Sequence, residues 1–229
     1  MIQKIFHRSA AGRIIRPVLV LLILLFAATA HGRTVTDHTG RKVQVPDAPE
    51  RVVSLAPSIT EIVYSLNSQH RLAGVTRYSD YPEEAQKLPS VGSYVSLDLE
   101  KIVSLKPDLC IAIKDGNPLR IVRRLEEMGI AVYAVNPRDL DSVMQTITDM
   151  GKILGAEQRA EEVVSDMDQR MAAVGKKVET VSDRPGVFFQ IGVDPIVSAG
   201  SNTFINELIQ KAGGRNLAGG HPGYPRYSV

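Results

Sequence analysis

The segment 76–82, with the sequence TRYSDYP, places two tyrosines among hydroxyl and charged side chains. It follows a short apolar run, 72–75, that is typical of a β-strand. In an open α/β sheet, ligands bind at the loops that follow the carboxyl ends of parallel strands. The sequence therefore predicts a pocket that begins here. Tyr94, after a Gly-Ser pair, and Tyr224, between a glycine and a proline, also stand in loops, although each could be an ordinary exposed aromatic.

The sequence carries few signals for catalysis. It has no Gly-x-Ser-x-Gly elbow, no phosphate-binding loop and no glycine-rich turn after the first predicted strand. The glycine pairs 213–214 and 219–220 follow a helical pattern rather than a strand, so we interpret them as a helix C-cap and a loop. We expect no catalytic residue and no enzyme. An exported α/β enzyme with an unfamiliar site is the alternative of a different functional class.

Metal chemistry is equally unsupported by the residue types. His38, His70 and His221 are scattered, and no pair of them has the spacing of metal ligands. The single cysteine, Cys110, lies in the apolar run 109–111, which predicts a buried strand residue. We therefore expect neither a metal site nor a cofactor.

Residues 1–32 have the anatomy of a secretory signal peptide. A basic start precedes the unbroken apolar run 18–28, and small residues offer cleavage between Ala30 and Gly32. A retained membrane anchor is the alternative, but a span needs about 20 apolar residues. The sequence predicts export to the periplasm, without a cysteine at the cleavage site for lipid attachment.

Cleavage would change the electrostatics of the chain. Loss of Lys4, Arg8, Arg13 and Arg16 takes the formal charge from +2 to −2, so the calculated isoelectric point of 8.6 is largely a property of the signal. A nucleic-acid partner is not expected for such a chain.

The elements that would position the tyrosines alternate between strand and helix. Apolar runs at 52–55, 109–113 and 130–135 predict strands, and each is followed by a turn and a helical pattern. We expect Ser58, with Glu61 three residues on, to form a capping box at the start of the first helix. Asp98 is expected to cap the next helix. This alternation is typical of parallel β-α-β units. A further strand, 187–191, and a helix, 203–212, are expected later in the chain.

A long amphipathic helix divides the two sets of α/β elements. Apolar residues recur at helical spacing across 157–178, which at 1.5 Å per residue is roughly 33 Å. We interpret it as a spacer between two lobes, and an ordinary surface helix of a single doubly wound domain is the alternative. The predicted segments are 33–138, an N-terminal α/β lobe; 139–156, a helix on that lobe; 157–178, the interlobe helix; and 179–229, a C-terminal α/β lobe. Since so short a second lobe would struggle to cover a parallel sheet, we expect it to be incomplete.

Six stretches of this sequence together resemble one protein family. They are VVSLAPSITEIVYSL, GVTRYSDYP, LDLEKIVSLKPDLCIA, the Gly116-Asn117 pair, FFQIGVDPIVSAG and INELIQKAGGRNLA. The chain resembles the periplasmic substrate-binding proteins of ATP-driven importers for cobalamin and ferric siderophores, and most closely those that bind vitamin B12. The resemblance implies two Rossmann-like lobes joined by one rigid helix, with the ligand held in the cleft between them.

The resemblance also implies which residues line the cleft. The matching positions are Tyr78, Tyr94 and Tyr224, with Gly116 nearby, and the expected ligand is cobalamin or a related corrinoid. Ile113 and Val197 stand where relatives carry aromatic residues, and the chain has no tryptophan. A corrinoid is a large flat apolar surface that suits aromatic walls. The departures leave a ferric siderophore or haem as the alternative ligand.

Partners follow from the same resemblance. Family members dock on the permease of the importer through one exposed glutamate on each lobe, and Glu100 matches the first of them. Glu100 could instead simply complement the N-terminus of its helix. The expected protein is thus peripheral to the inner membrane through its permease.

Overall fold

The computed structural model describes residues 32–228, and the predicted signal peptide lies outside this range apart from its last residue. Within this range, no helix has both the length and the apolar character needed to cross a membrane. The described chain begins with a two-stranded sheet formed by β1 (Gly32–Thr36) and β2 (Lys42–Pro46).

A parallel four-stranded sheet forms the centre of the first half of the chain. Its strands are β3 (Val52–Ser54), β4 (Leu72–Gly74), β7 (Leu109–Ile113) and β8 (Ala131–Val135), in the order β4-β3-β7-β8. All three pairings are parallel, as the β-α-β interpretation predicted. Two very short antiparallel strands, β5 (Gly92–Ser93) and β6 (Ser96–Leu97), lie between β4 and β7 in sequence.

Helices cover both faces of this sheet. In strand β7, Leu109 and Ile111 belong to one hydrophobic cluster, whereas Cys110 and Ala112 belong to the other, because successive side chains of a strand point to opposite faces. The helices that follow the strands are α1 (Pro57–Ser65), α2 (Leu99–Ser104), α3 (Leu119–Glu127) and α4 (Leu140–Leu154). Side chains of α1 and α4 pack in the first cluster and those of α2 and α3 in the second.

Cys110 is the buried strand residue that the sequence predicted. Its side chain is fully enclosed, and burial, followed by the nearby charge of Asp108, raises the pKa of the thiol to about 12. The thiol is therefore protonated at neutral pH and behaves as a small apolar side chain.

The caps of two helices were predicted with different success. Asp98 accepts a hydrogen bond from the backbone N–H of Lys101 at 2.9 Å, which confirms it as the cap of α2. The capping box predicted for Ser58 and Glu61 was wrong, because α1 begins at Pro57 and its N-cap is Ala56. Proline at the first helical position needs no hydrogen-bond partner for its nitrogen and already has a helical φ, so the helix starts two residues earlier than a Ser58 cap would place it.

The long helix α5 (Glu157–Glu179) has 23 residues, one more than the predicted range. Its first half packs closely on α4: a Cβ atom on Gly151 would lie 2.5 Å from the Cβ of Ala160. Val163, Val164 and Met167 continue this contact with the first hydrophobic cluster. Beyond Met167 the helix is mostly exposed.

The elements after α5 form a smaller α/β lobe. They are β9 (Gly186–Val187), β10 (Gln190–Val193), β11 (Ile196–Ser198), α6 (Phe204–Lys211), β12 (Arg215–Asn216) and β13 (Arg226–Tyr227). Strands β9 and β12 pair in parallel, whereas β10, β11 and β13 form an antiparallel sheet. The fold is thus α/β, with two lobes of unequal size joined by α5, as predicted.

The strand predicted over residues 187–191 is divided in the structure. Its first residue ends β9, which pairs with β12, and its last two belong to β10, which pairs with β11. Phe188 and Phe189 lie between the two strands and are 44% and 45% exposed. The sequence predicted one strand over 187–191, but the chain changes sheets within it. The predicted helix over 203–212 is confirmed as α6, with the side chain of Thr203 as its cap.

Candidate ligand-binding site

The loops that follow the four parallel strands leave the sheet at one edge. Residues 55–56 follow β3, residues 75–81 follow β4, residues 114–118 follow β7 and residues 136–139 follow β8. Because the strands are parallel, their carboxyl ends meet along the same side, which is where open α/β sheets bind ligands.

Buried hydroxyl groups fix the loop that carries Tyr78. Thr60 donates to Ser54 Oγ at 2.8 Å and lies 3.0 Å from Ser79 Oγ, which in turn lies 2.9 Å from Thr76 Oγ1. All four side chains are buried. This network joins the start of the loop to β3 and α1, so the loop is held from beneath by hydrogen bonds rather than by apolar packing alone.

Tyr78 itself is 56% exposed on the surface of this loop. The backbone N–H of Arg77 donates to the carbonyl of Gly92 at 2.7 Å, which joins the Tyr78 loop to the strand preceding Tyr94. On its other side the loop lines a cavity of about 340 Å³ with the side chains of Arg77 and Asp80. Tyr78 is not among the residues that line that cavity.

Tyr94, Gly116 and Ile113 come together at the end of β7. A Cβ atom built on Gly116 would lie 2.7 Å from Cδ2 of Tyr94 and 3.6 Å from Cγ2 of Ile113. The φ angle of Gly116 is +146°, a conformation that side-chain-bearing residues rarely adopt. The glycine therefore allows the tyrosine ring to lie directly against the backbone, and the ring remains 39% exposed.

Asn117 holds this group in place. Its Oδ1 accepts from the backbone N–H of Ile113, and its Nδ2 donates to the carbonyls of Leu55 and Tyr94, each at 2.8 Å. The side chain is 8% exposed, so its amide serves the backbone and not solvent. This role of Asn117 was not predicted from the sequence, where the residue appeared only in the Gly116-Asn117 pair of the family resemblance.

A second group of residues forms an open groove of about 670 Å³ in the C-terminal lobe. Val197 and Tyr224, both predicted, lie on its walls, and the tyrosine is 60% exposed. Phe189 and Ile191 line it as well and were missed, because the sequence predicted a strand over 187–191 and gave neither residue a role in binding. The complete lining is Phe189, Gln190, Ile191, Val197, Ile205 and Tyr224.

Backbone hydrogen bonds clamp the loop that carries Tyr224. Gly200 N–H donates to the carbonyl of Gly223, and Ser201 N–H to that of His221, both at 2.7 Å. Gly223 N–H returns a bond to Ser201 at 2.8 Å. A Cβ atom on Gly200 would lie 1.9 Å from the carbonyl oxygen of His221, so only glycine fits at this crossing.

The six predicted ligand residues thus fall into distinct places. Tyr94, Ile113 and Gly116 form one group, which we call the N-terminal wall; Val197 and Tyr224 belong to the groove, which we call the C-terminal wall. Tyr78 stands exposed on the loop beside the first group. Their role in ligand binding stays a prediction.

Glu100 lies exposed on the first turn of α2. A carboxylate there interacts favourably with the N-terminal end of the helix dipole, which agrees with both interpretations of this residue. Its predicted contact with a permease stays a prediction.

The charged groups of the first lobe show ordinary structural chemistry. Burial alone would raise the pKa of Asp37, but hydrogen bonds from Thr39 and Arg41 outweigh it, so the pKa of Asp37 is lowered. Burial raises the pKa of Tyr133, and the charges of Asp149 and Asp37 act in the same direction. Over the described range of 32–228, no group of three His, Cys, Asp or Glu side chains is placed to hold a metal ion.

The family model of periplasmic binding proteins matches residues 52–228. The chain belongs to the periplasmic binding protein family. The match contains the parallel sheet, the long helix and the C-terminal lobe, and so includes both groups of predicted ligand residues.

One relative in this family is named for the ligand that it binds. A vitamin B12-binding protein of Photorhabdus laumondii is 31% identical over 175 residues, which cover 76% of this chain and 63% of that relative. The chain therefore spans less than two thirds of the length of that protein.

Solved structures agree with the fold. A periplasmic vitamin B12-binding protein of Vibrio cholerae has a TM-score of 0.70 and 31% identity, with 80% of this chain and 72% of that chain covered. A periplasmic heme-binding protein of a Roseiflexus species has a TM-score of 0.72 and 31% identity, with coverage of 78% and 70%. Sequence identity and TM-score are thus nearly the same for a structure named for vitamin B12 binding and for one named for heme binding.

Proposed function

We propose that this protein is the substrate-binding protein of an ATP-driven importer, that it captures cobalamin or a related corrinoid, and that it delivers this ligand to a membrane permease. The ligand lies in an interlobe cleft whose sides are the N-terminal and C-terminal walls. The relative named as a vitamin B12-binding protein supports the choice of ligand. Neither wall requires a catalytic residue for this task.

The observation that carries the proposal is the presence of exposed aromatic rings on rigid backbone in both lobes. Tyr94 rests on Gly116, and Tyr224 lies in a groove with Phe189. Aromatic rings that line a groove or lie against a loop offer flat apolar surfaces to which a flat ligand can bind. A ring system bound between them would cover the side chains that are half exposed without ligand.

The second candidate is haem, which is favoured by the similarity to a heme-binding protein at the same identity as the B12-binding one. Haem and siderophores carry carboxylates or other anionic groups, which would need cationic partners. Arg77, exposed next to Tyr78, and Lys114, exposed just after β7, are placed on the loops of the sheet edge and could supply them. Corrinoid is preferred because the wall residues named above are aromatic and aliphatic rather than cationic.

A titration of the purified full chain decides between these ligands. The chain has seven tyrosines and no tryptophan, so tyrosine fluorescence reports on the walls without a stronger emitter. We expect saturable quenching by cyanocobalamin and weaker quenching by haem and a ferric siderophore. Because these ligands absorb light, isothermal titration calorimetry should accompany the fluorescence. Saturation by haem or siderophore alone would reverse the order of the two candidates.

We infer that residues 33–138 form the first lobe and 139–156 the helix packed on it, that 157–178 are the spacer, and that 179–229 form the second lobe. The periplasm is the proposed location.

We also infer that delivery requires docking of Glu100 on basic loops of the permease. Charge pairs at such an interface favour the correct orientation and fast association. A Glu100→Gln variant should bind ligand normally but transport it more slowly in vesicles that contain the cognate permease. Glu83→Gln, at another exposed carboxylate of the first lobe, is the control. Equal transport by the Glu100 variant and the wild type would contradict docking through this residue.

A further inference from the structure

One hydrogen bond joins the two lobes at a point away from the long helix. Glu207, in the first turn of α6, accepts a hydrogen bond through Oε2 from the backbone N–H of Leu140 at 2.9 Å. Leu140 is the first residue of α4, and the two residues are 67 positions apart in sequence. The bond therefore connects the smaller lobe to the N-terminus of a helix that packs on the parallel sheet.

The N–H of Leu140 is available for this bond because of its position. The first amides of a helix have no partner within the helix. Another amide of the first turn, that of Ser142, donates to the side chain of Asp139 at 2.8 Å, as part of a capping box. Glu207 thus supplies a second cap from another lobe, and its carboxylate faces the positive end of the helix dipole.

Packing around this bond is open. A groove of about 700 Å³ lies between α4, α5 and α6, and its walls include Leu140, Met144 and Leu208. Leu208 is 41% exposed and Val174, on the facing part of α5, is 44% exposed. Since apolar contact is incomplete here, the hydrogen bond is well placed to determine how the lobes are oriented.

Both partners are connected to the predicted ligand walls. On one side, Thr203, the cap of α6, donates to the carbonyl of Gly200, which belongs to the clamp of the Tyr224 loop. On the other side, Leu140 follows the loop that leaves β8 at the carboxyl edge of the sheet. A change in the Glu207–Leu140 bond would therefore move one wall relative to the other.

We propose that Glu207 is a positioning residue that holds the two lobes at the angle required for ligand binding. The carboxylate caps α4 and so prevents α6, with the wall attached to it, from turning away about α5. Without the bond, the lobes would sample more orientations, and the fraction of molecules ready to bind would fall. The effect on affinity rests on the proposed function, whereas the effect on lobe orientation does not.

The first test uses distances between the lobes in the full chain without ligand. Spin labels on Arg123→Cys, in α3, and Val193→Cys, which is 82% exposed in β10, report on the lobe angle. Cys110 is buried with a raised thiol pKa, so it will not be labelled. We expect Glu207→Ala to broaden the distribution of distances. Glu207→Gln should leave it narrow, because its amide oxygen still accepts the bond. Equal distributions for Glu207→Ala and wild type would overturn the proposal.

The second test removes the donor instead of the acceptor. Leu140→Pro removes the N–H at the first helical position, where proline is well tolerated, and also shortens the side chain; Asp139 already has the extended conformation that precedes proline. Leu140→Ala is the matched control, since it loses a similar part of the side chain but keeps the N–H. We expect Glu207→Ala to broaden the distances in the Leu140→Ala background and to change nothing in the Leu140→Pro background. Additive effects in both backgrounds would contradict a direct bond.

Affinity provides the third measurement. With cyanocobalamin as the probe, Glu207→Ala should bind about three- to tenfold more weakly, which corresponds to the net contribution of one ordinary hydrogen bond, and Glu207→Gln should bind within about twofold of wild type. A broadened distance distribution together with no binding of cyanocobalamin by wild type would sustain the positioning role and reject the proposed ligand. Unchanged distances in Glu207→Ala, together with normal binding of cyanocobalamin by wild type, would reject the positioning role and sustain the proposed ligand.

Discussion

The two walls of the proposed site are built in different ways. The N-terminal wall stands at the end of a buried parallel strand and is fixed by one side chain, Asn117, which bonds to three backbone groups. The C-terminal wall stands on short strands and is fixed chiefly by backbone bonds between 200–201 and 221–223, to which the side chains of Ser201 and Thr203 add one bond each. Truncation of the Asn117 side chain should therefore remove the hydrogen bonds that hold the N-terminal wall. The C-terminal wall should lose its backbone hydrogen bonds only if a substitution keeps the two backbone segments apart.

This difference also concerns stability. Side chains of the parallel sheet form two extensive buried clusters, but the elements after α5 contribute few fully buried apolar residues, such as Ala199, Ile209 and Ala218. Since buried apolar area is the main source of folding free energy, the N-terminal lobe should be the more stable part. The comparison can be tested by substitutions that act on one wall at a time.

The largest effect is expected from Asn117→Ala. It leaves the N–H of Ile113 and the carbonyls of Leu55 and Tyr94 without their partner in a buried position, which should lower the free energy of unfolding by about 3 kcal/mol. Urea denaturation followed by circular dichroism measures it. Asn136→Ala, at the partly buried position after β8, is the control. A loss below about 1 kcal/mol would mean that the side chain does not hold this wall.

Gly200→Ala should come next, and it should act on the other wall. The new Cβ would lie 1.9 Å from the carbonyl oxygen of His221, so the two backbone segments must separate and their hydrogen bonds must weaken. We expect a loss of about 2 kcal/mol, confined to the C-terminal lobe. Hydrogen exchange should become faster around Tyr224 and stay unchanged in β7. Gly220→Ala, where a Cβ meets no atom within 4 Å, is the control. Faster exchange throughout both lobes would show that the walls are not independent.

Asp37→Asn tests the pH dependence of the N-terminal lobe. Because the pKa of Asp37 is lowered in the folded state, its contribution to stability is complete above the usual value of 3.8 and is lost as pH falls through the lowered value. Wild type should therefore lose stability below about pH 4, and the variant should be less stable at pH 7 by about 1–2 kcal/mol but less sensitive to acid. Thermal unfolding between pH 2 and pH 7 measures both. A variant with the same acid sensitivity as wild type would exclude Asp37 as a source of it.

The smallest effect is expected from Gly116→Ala, which sharpens the contrast with Gly200. Here the new Cβ meets the ring of Tyr94, a side chain that can move, and not backbone. The φ angle of +146° adds backbone strain, but the main result should be displacement of the ring. We expect cyanocobalamin affinity to fall by about fivefold, as for partial loss of one aromatic contact. Calorimetric titration measures it, and Tyr94→Ala should give a similar loss. An unchanged affinity in both variants would remove Tyr94 from the site.

Much of the fold was predictable because its signals are local. The apolar run 109–113, the helical spacing over 157–178 and the capping aspartate Asp98 each specify an element within a few residues of sequence. The two incorrect predictions arose where a stronger local preference or a tertiary contact intervened. Pro57 displaced the Ser58 cap, and pairing with β12 divided the run 187–191 between two sheets.

The candidate site was only partly predictable because it depends on contacts distant in sequence. The tyrosines stand out by type and by their loops, and the family resemblance indicated Gly116 and Val197. No local pattern indicates that Asn117 bonds to Leu55, 62 positions away, or that Glu207 caps α4. Phe188 and Phe189 lie between two strands that belong to different sheets, and the sequence alone did not indicate this change of sheet. The residue types thus predicted a ligand pocket, whereas long-range hydrogen bonds determine the positions of its two walls.

The most direct test of the account is hydrogen exchange of the full chain with and without cyanocobalamin. If one ligand lies between the two walls, protection should increase together in the segments around Tyr94 and Tyr224, with the same dependence on ligand concentration. Protection of only one segment, or of neither at saturating ligand, would contradict a shared site formed by both lobes.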